Sequence, residues 1–119
     1  MKYILLIYQE ENSQSASTRE ECKSEAQSLI QELTSKGQYL AAAPLHPTST
    51  AVSVRVRNGK RLVTDGPFAE THEQLGGYYL IDTQNLDEAI DIAGRVSGAR
   101  TGTIEIRPVG ELPEMPGFS

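Results

Sequence analysis

Lys2 to Tyr8 (KYILLIY) is apolar at almost every position. A strand that faced water on one side would alternate polar and apolar residues. A continuous run means both faces are covered, so this strand belongs in the middle of a sheet. Tyr78-Tyr79-Leu80-Ile81 repeats the pattern late in the chain. No other feature constrains the fold as strongly, because a chain of 119 residues must find cover for both sides of two strands.

The remaining elements follow from periodicity and punctuation. Glu10 to Ala16 is polar and reads as a loop. Ser17 and Glu20 form a capping box that starts a helix. Cys22, Ala26, Leu29, Ile30 and Leu33 then fall on one stripe of period 3.6, and Gly37 sits where a left-handed C-cap is expected. Gln38 to Ala43 is the next strand, ended or placed at an edge by Pro44 and Pro47, which cannot donate to a ladder. Thr50 to Thr64 is a hairpin around Asn58-Gly59. A two-residue turn sets Val54 opposite Val63, Arg55 opposite Leu62 and Val56 opposite Arg61, so its faces are mixed. Arginine stems can cover apolar surface there while their heads reach water or a ligand. Gly77 to Asp82 is the second two-sided strand. Asn85 to Glu88 is another capping box, opening a helix with Leu86, Ala89, Ile90, Ala93 and Val96 on its stripe. Gly94 weakens that helix and Gly98 closes it. Thr103 to Arg107 alternates, with Ile104 and Ile106 on one face. Residues 110–119 read as a tail after a single domain over 1–109, docked by Leu112, Met115 or Phe118.

The order strand, helix, strand, hairpin, strand, helix, strand is the ferredoxin-like βαββαβ plan of an α+β protein, with a hairpin inserted at its centre. That plan puts both helices on one sheet face. The apolar residues on the other face then need cover. The hairpin can supply part of it, but a second copy of the chain is the simpler source, since self-complementary faces pack about a two-fold axis. The expectation is a homodimer packed sheet to sheet.

Composition narrows the partners. The formal net charge is -5, with only 11 basic residues and no basic run, which argues against nucleic acid. One cysteine, Cys22, excludes an intrachain disulfide and a cysteine-based zinc site; on the buried stripe it reads as a small apolar residue. No run reaches the ~20 apolar residues of a membrane span, and the first apolar run is too short for a signal peptide. The expected compartment is the cytoplasm.

Candidate chemistry concentrates in Asp65-Gly66-Pro67-Phe68-Ala69-Glu70-Thr71-His72-Glu73-Gln74-Leu75-Gly76-Gly77. Asp65-Gly66-Pro67 favours a sharp reversal in which the aspartate bonds backbone N–H groups. On a purely structural account Asp65 caps that turn, Phe68 plugs the core and Gly76-Gly77 allow a close backbone approach. On a functional account Asp65 and Glu70 line a pocket beside the sheet, and His72, a side chain that exchanges protons near neutral pH, joins them. Glu70 and His72 share a face if the segment is extended and point apart if it is helical. His46, between Pro44 and Pro47, is the weaker histidine candidate. Arg55 and Arg61 could hold a carboxylate or phosphate. There is no metal-ligand spacing, no dinucleotide fingerprint and no phosphate loop, so no metal or cofactor is expected.

Thr64 to Thr71, followed by Glu73-Gln74-Leu75-Gly76-Gly77-Tyr78-Tyr79-Leu80-Ile81-Asp82, closely resembles the DGPF motif of the YCII-related (DGPF-domain) family. The flanks agree: Met1-Lys2-Tyr3 with its apolar run, the strand from Thr50 to Arg57, Leu86-Asp87-Glu88-Ala89, and Ile104-Glu105-Ile106-Arg107-Pro108. The resemblance runs from Met1 to about Val109. It implies a ferredoxin-like fold of the dimeric α/β-barrel type and brings no settled activity. The wider barrel group includes isomerases and monooxygenases, related sequences are suspected of enzymatic roles through an Asp-His pair, and some DGPF members are linked to extracytoplasmic-function sigma factors. Asp65, Gly66, Pro67, Phe68, Glu70, Gly76 and Gly77 match the motif. His72 departs from it, that place being commonly lysine.

Two functions are compatible with these residues. One is a cofactor-independent small-molecule enzyme, performing isomerisation or elimination on a polar or acidic compound, with Asp65 as acid/base or orienting group and Glu70 or His72 as the second proton handler. The other is a non-catalytic ligand-binding or regulatory accessory module using the same pocket.

Overall fold

The computed structural model of the protein describes residues 1–11 and 16–111. Six strands, two α-helices and two short 3-10 turns follow in the order β1 (Lys2–Gln9), α1 (Ala16–Ser35), β2 (Tyr39–Pro44), a turn at Thr48–Thr50, β3 (Val52–Arg57), β4 (Lys60–Asp65), β5 (Gln74–Asp82), α2 (Leu86–Arg95), a turn at Ser97–Arg100, and β6 (Thr103–Pro108). Leu112, Met115 and Phe118 lie outside the described residues. Four strands form one antiparallel sheet in the order β2-β5-β1-β6, while β3 and β4 form a separate two-stranded sheet. The apolar runs thus occupy the two central strands. The architecture is α+β, of the ferredoxin-like type, with the hairpin inserted between β2 and β5.

Register assigns the faces. Tyr3 pairs with Ile81, Leu5 with Tyr79 and Ile7 with Gly77, and opposed residues in a ladder share a side. On that side Tyr3, Leu5, Tyr79 and Ile81 are buried against Leu29 and Leu33 of α1 and Ala89, Ile92 and Ala93 of α2. The alternate residues form the other face, with Ile4 opposite Leu80 and Leu6 opposite Tyr78. These are half-buried, and both helices contribute to the opposite side.

Cap chemistry explains the element ends. Gly37 adopts φ 70°; its N–H donates to Thr34 C=O (3.1 Å) and Gln38 N–H donates to Leu33 C=O (2.8 Å). That is a Schellman ending, and it draws Gln38 out of the expected strand, so β2 begins at Tyr39. α1 starts at Ala16, which places Ser17 inside the helix rather than at its cap. Asn85 caps α2 as expected, accepting from Glu88 N–H at 2.9 Å. The stripe of α2 differs, however. Ile92 is buried, while Leu86 and Ile90 are each about half exposed. The buried set Ala89, Ile92, Ala93 and Val96 keeps the i, i+3, i+4, i+7 spacing; it shares Ala89, Ala93 and Val96 with the reading above and takes Ile92 in place of Leu86 and Ile90. Gly98 does not close the helix. It is buried in the following 3-10 turn, where an added Cβ would lie 2.8 Å from Ile7 Cγ2.

The hairpin turns at Asn58 (φ 52°) and Gly59 (φ 73°), with the register that a two-residue turn sets. It does not lie down on its own sheet. Val52, Val54, Val56 and Val63 are each 58–62% exposed. The Cα radius of gyration is 16.3 Å, against about 13.5 Å for a compact chain of this length; β3–β4 is a projecting arm.

Candidate functional site

The chemistry-bearing residues gather at the end of the sheet where β1 leaves and β5 enters. Gln9 and Gln74 are paired there, so Glu10 and Glu11 run on beside the segment that leads into β5. Glu11 closes this end. Its N–H donates to Gln74 Oε1 at 2.9 Å, and its carboxylate accepts from Thr48 N–H (3.1 and 3.2 Å) and from the Thr48 hydroxyl. The carboxylate thereby caps the 3-10 turn after β2 and fixes the loop that carries His46. Leu45 N–H donates to Gly76 C=O at 2.9 Å, holding the same loop to β5.

Glu10 meets His72: Nε2 of the imidazole lies 2.6 Å from Glu10 Oε1. The segment from Pro67 to Glu73 is neither helix nor strand. Gln74 Nε2 donates to the carbonyls of Thr71 and His72, and Thr103 Oγ1 donates to Glu73 Oε1 at 3.0 Å. These bonds tie the irregular segment to β5 and β6. Sequence reading passed over Glu10 and Glu11 as loop residues. The signal was the antiparallel pairing of β1 with β5, which two apolar runs alone do not put in register.

Three hollows meet at this end. A small polar one, about 190 Å³, is lined by Glu10, Glu11, Arg19, His46 and Gln74 among others. On the helical side it adjoins an apolar cleft of about 450 Å³ between α1 and the sheet, with Cys22, Ala26, Ile30, Gly77, Tyr79 and Val96 in its walls. Gly77 shapes that cleft, since a Cβ there would sit 2.9 Å from Ala43 O. On the helix-free side lies a cavity of about 830 Å³, between the sheet end and the root of the arm, with Tyr8, His46, Phe68, Glu70 and Leu75 in its walls. His46, Leu45, Pro47, Gln74 and Leu75 are common to the polar hollow and this cavity.

Of the residues singled out by sequence, Glu70 lines the largest cavity and His72 pairs with Glu10. Asp65 ends β4, exposed, and lines none of the three hollows. Among the described residues its carboxylate accepts no hydrogen bond; the turn is held instead by Gly66, whose N–H donates to Ala51 C=O (2.7 Å) and whose carbonyl accepts from Ser53 Oγ (2.7 Å). Phe68 does not plug the core: it is 81% exposed. Among the described residues no group of three potential ligands could hold a metal ion, and no helix is long and apolar enough to cross a membrane.

Beside the cavity, the Tyr8 hydroxyl is held above its ordinary pKa by desolvation and by the Glu105 carboxylate next to it. Burial does the same for Tyr79, which lies in the wall of the cleft. Both phenols therefore stay protonated at neutral pH and serve as hydrogen-bond donors rather than bases.

The fold is shared with 5-chloro-2-hydroxyhydroquinone dehydrochlorinase from Burkholderia phenoliruptrix AC1100, solved in complex with 2,5-dihydroxybenzoquinone. The match has a TM-score of 0.55 at 10% identity and covers 93% of this chain and 95% of that one. An uncharacterized protein of Rhizobium meliloti (strain 1021) is 42% identical over 123 residues, spanning 95% of this chain and 99% of the relative. The family model for the YCII-related domain matches residues 1–113. With the strand order, the motif and these matches together, the chain belongs to the YCII-related domain family.

Proposed function

We propose that this protein is a cofactor-independent acid–base enzyme acting on a small polar or hydroxylated ring compound. The observation that carries the reading is the convergence of proton-handling groups at one end of the sheet: Glu10, His46 and Glu70 line the joined hollows, and His72, just outside their walls, pairs with Glu10 at 2.6 Å. An apolar body fits between greasy walls while a few polar groups orient it. The Glu10 carboxylate orients the imidazole, and His72 takes a proton from one substrate atom and returns it at another. That is the chemistry of isomerisation, or of elimination once a leaving group departs. Asp65, exposed and outside the cavity walls, handles no proton in this reading. The ligand of the dehydrochlorinase supplies a sensible first probe.

The reading includes a homodimer packed through the helix-free sheet faces, because Ile4, Leu6, Tyr78 and Leu80 are otherwise only partly buried.

The test is NMR in D2O with a panel of hydroxylated quinones and cyclic enols, 2,5-dihydroxybenzoquinone among them. Wild type should bind and exchange or convert at least one of them. His72→Gln should lower the rate by about 100-fold or more, and Asp65→Asn by much less. Saturable binding with no exchange by wild type would instead favour a ligand-binding module; no binding at all would defeat both readings.

A further inference from the structure

The β3–β4 arm has two unlike faces, which its register assigns. Val52, Val54, Val56, Arg61, Val63 and Asp65 share one face, and Ser53, Arg55, Arg57, Lys60, Leu62 and Thr64 share the other. At the root of the arm Ser53 lines the large cavity and none of the valines does, so the valine face is turned away from the chain's own body. All four valines are exposed, and an isolated two-stranded hairpin is marginal in water. Covering that face with a matching apolar surface stabilises the ribbon that carries it.

The two charges on the valine face say which surface matches. On β4, Arg61 and Asp65 stand two residues to either side of Val63, one toward the tip and one toward the root. About 14 Å of extended strand separates them, too far for the two side chains to meet. Among the described residues neither forms an ion pair. Opposite charges placed evenly about a central apolar pair make a surface complementary to itself. When two such faces stack about a two-fold axis running across the strands at Val54 and Val63, the strand directions reverse and β4 lies over the partner's β4. Val63 then meets the partner's Val63, Val54 the partner's Val54, and Val52 the partner's Val56. Asp65 meets the partner's Arg61, and symmetry makes that ion pair twice.

The alternative axis, along the strands, puts β3 over the partner's β4. It leaves Asp65 over the partner's Val52 and Arg61 over the partner's Val56, with no charge paired. Charge therefore selects the crosswise axis. Sheets packed in this way lie about 10 Å apart with their strands about 30° from parallel, and an arginine stem is long enough to absorb that offset. Arg55, Arg57 and Lys60, on the other face, stay on the outside of the stack, where water solvates them. Two short strands cover well short of the ~800 Å² per partner of a standard interface, so this contact adds to a contact between the bodies and does not replace it.

We infer that the β3–β4 arms of two chains pair valine face to valine face about a crosswise two-fold axis, with Asp65 on the partner's Arg61. The occupant of the uncovered face is a second copy of the same arm. Asp65, which neither the turn nor the cavity uses, gains a role as the residue that fixes the register between chains. The inference does not depend on the acid–base reading, and it concerns a different surface from the helix-free sheet face.

Charge reversal tests the pairing, in a region that contributes nothing to the body's core. Arg61→Glu alone, or Asp65→Lys alone, sets like charges against each other at both symmetric positions. Each single variant should keep the circular dichroism of wild type and dissociate about tenfold more readily in low salt, and less so in high salt. Mixing the two single variants restores opposite charges at both positions. With one of them 15N-labelled, native mass spectrometry should find mixed-isotope assemblies above their statistical share, and the chain carrying both substitutions should associate as wild type does. Because the two side chains are too far apart to pair within one arm, such recovery reports a contact between chains. Single variants that associate like wild type overturn arm pairing and leave a sheet-face dimer standing. Single variants that are weakened but not rescued by mixing place the valine face on some other surface, and also overturn it. A wild type that sediments as a monomer at about 100 µM overturns arm pairing and the sheet-face dimer together.

Discussion

Gly77 shows what a single position can demand. It stands where β5 passes β2, and an added methyl would meet Ala43 O at 2.9 Å and Pro44 Cα at 3.3 Å. Both contacts are backbone, so relief requires moving a strand. Gly77→Ala should destabilise the protein by about 1–3 kcal/mol, read as a lower urea midpoint with an unchanged slope. Asp65 is the opposite case. It is the most recognisable residue of its motif, yet among the described residues it accepts no hydrogen bond. Asp65→Asn should shift stability by no more than about 0.5 kcal/mol. A large loss on denaturation would give it the capping role that its position in an Asp-Gly-Pro turn suggests. The motif was legible in the sequence, and the pairing of its histidine with Glu10 was not: that contact bridges residues 62 positions apart through the register of β1 on β5.

At the scale of elements, two helices are fastened by different means. α2 depends on its cap, Asn85 to Glu88 N–H, and Asn85→Ala should cost about 1 kcal/mol, measurable by thermal denaturation. α1 is tied to its neighbours by charge. Glu32 pairs with Arg95 of α2 and, at 3.7 Å, with Lys36, and Glu25 accepts two bonds of 2.9 Å from Arg100. The Arg95 guanidinium beside Glu32 holds its carboxyl below the ordinary value. A depressed carboxyl stabilises the fold above its unfolded pKa, near 4.3, and that contribution fades as the pH falls through the folded value. The stability gap between wild type and Glu32→Gln should therefore be present at pH 7 and close in acid. A gap that stays constant down to about pH 3 would show that the pair contributes through packing instead. The stripe of α2 illustrates the limit of periodicity. Leu86 and Ile90 are as apolar as Ile92, so pattern alone admits two adjacent stripes, and contact with β1 and β6 selects one.

For the whole molecule, the decisive feature is a sheet with apolar residues on both sides and helices on one. If two copies share that face, folding and association are linked, and the melting temperature must climb with protein concentration, each tenfold being worth about 1.4 kcal/mol. A melting temperature that is flat over a hundredfold dilution would mean the face is stable against water. The same linkage should make a ligand of the sheet-end cavity raise the melting temperature more at concentrations where the dimer is populated.

Local chemistry in the sequence was enough for the elements, their order, the Schellman ending at Gly37, the cap at Asn85 and the hairpin register, because each depends on residues a few positions apart. The two-sided strands also declared themselves central, since only burial on both faces tolerates such runs. Three things required the folded chain: that Phe68 stands in solvent, that the arm projects instead of lying on its own sheet, and that Glu10 reaches His72. Each depends on where distant segments end up relative to one another, and that is decided by strand register and packing across the whole sheet, which no local pattern encodes.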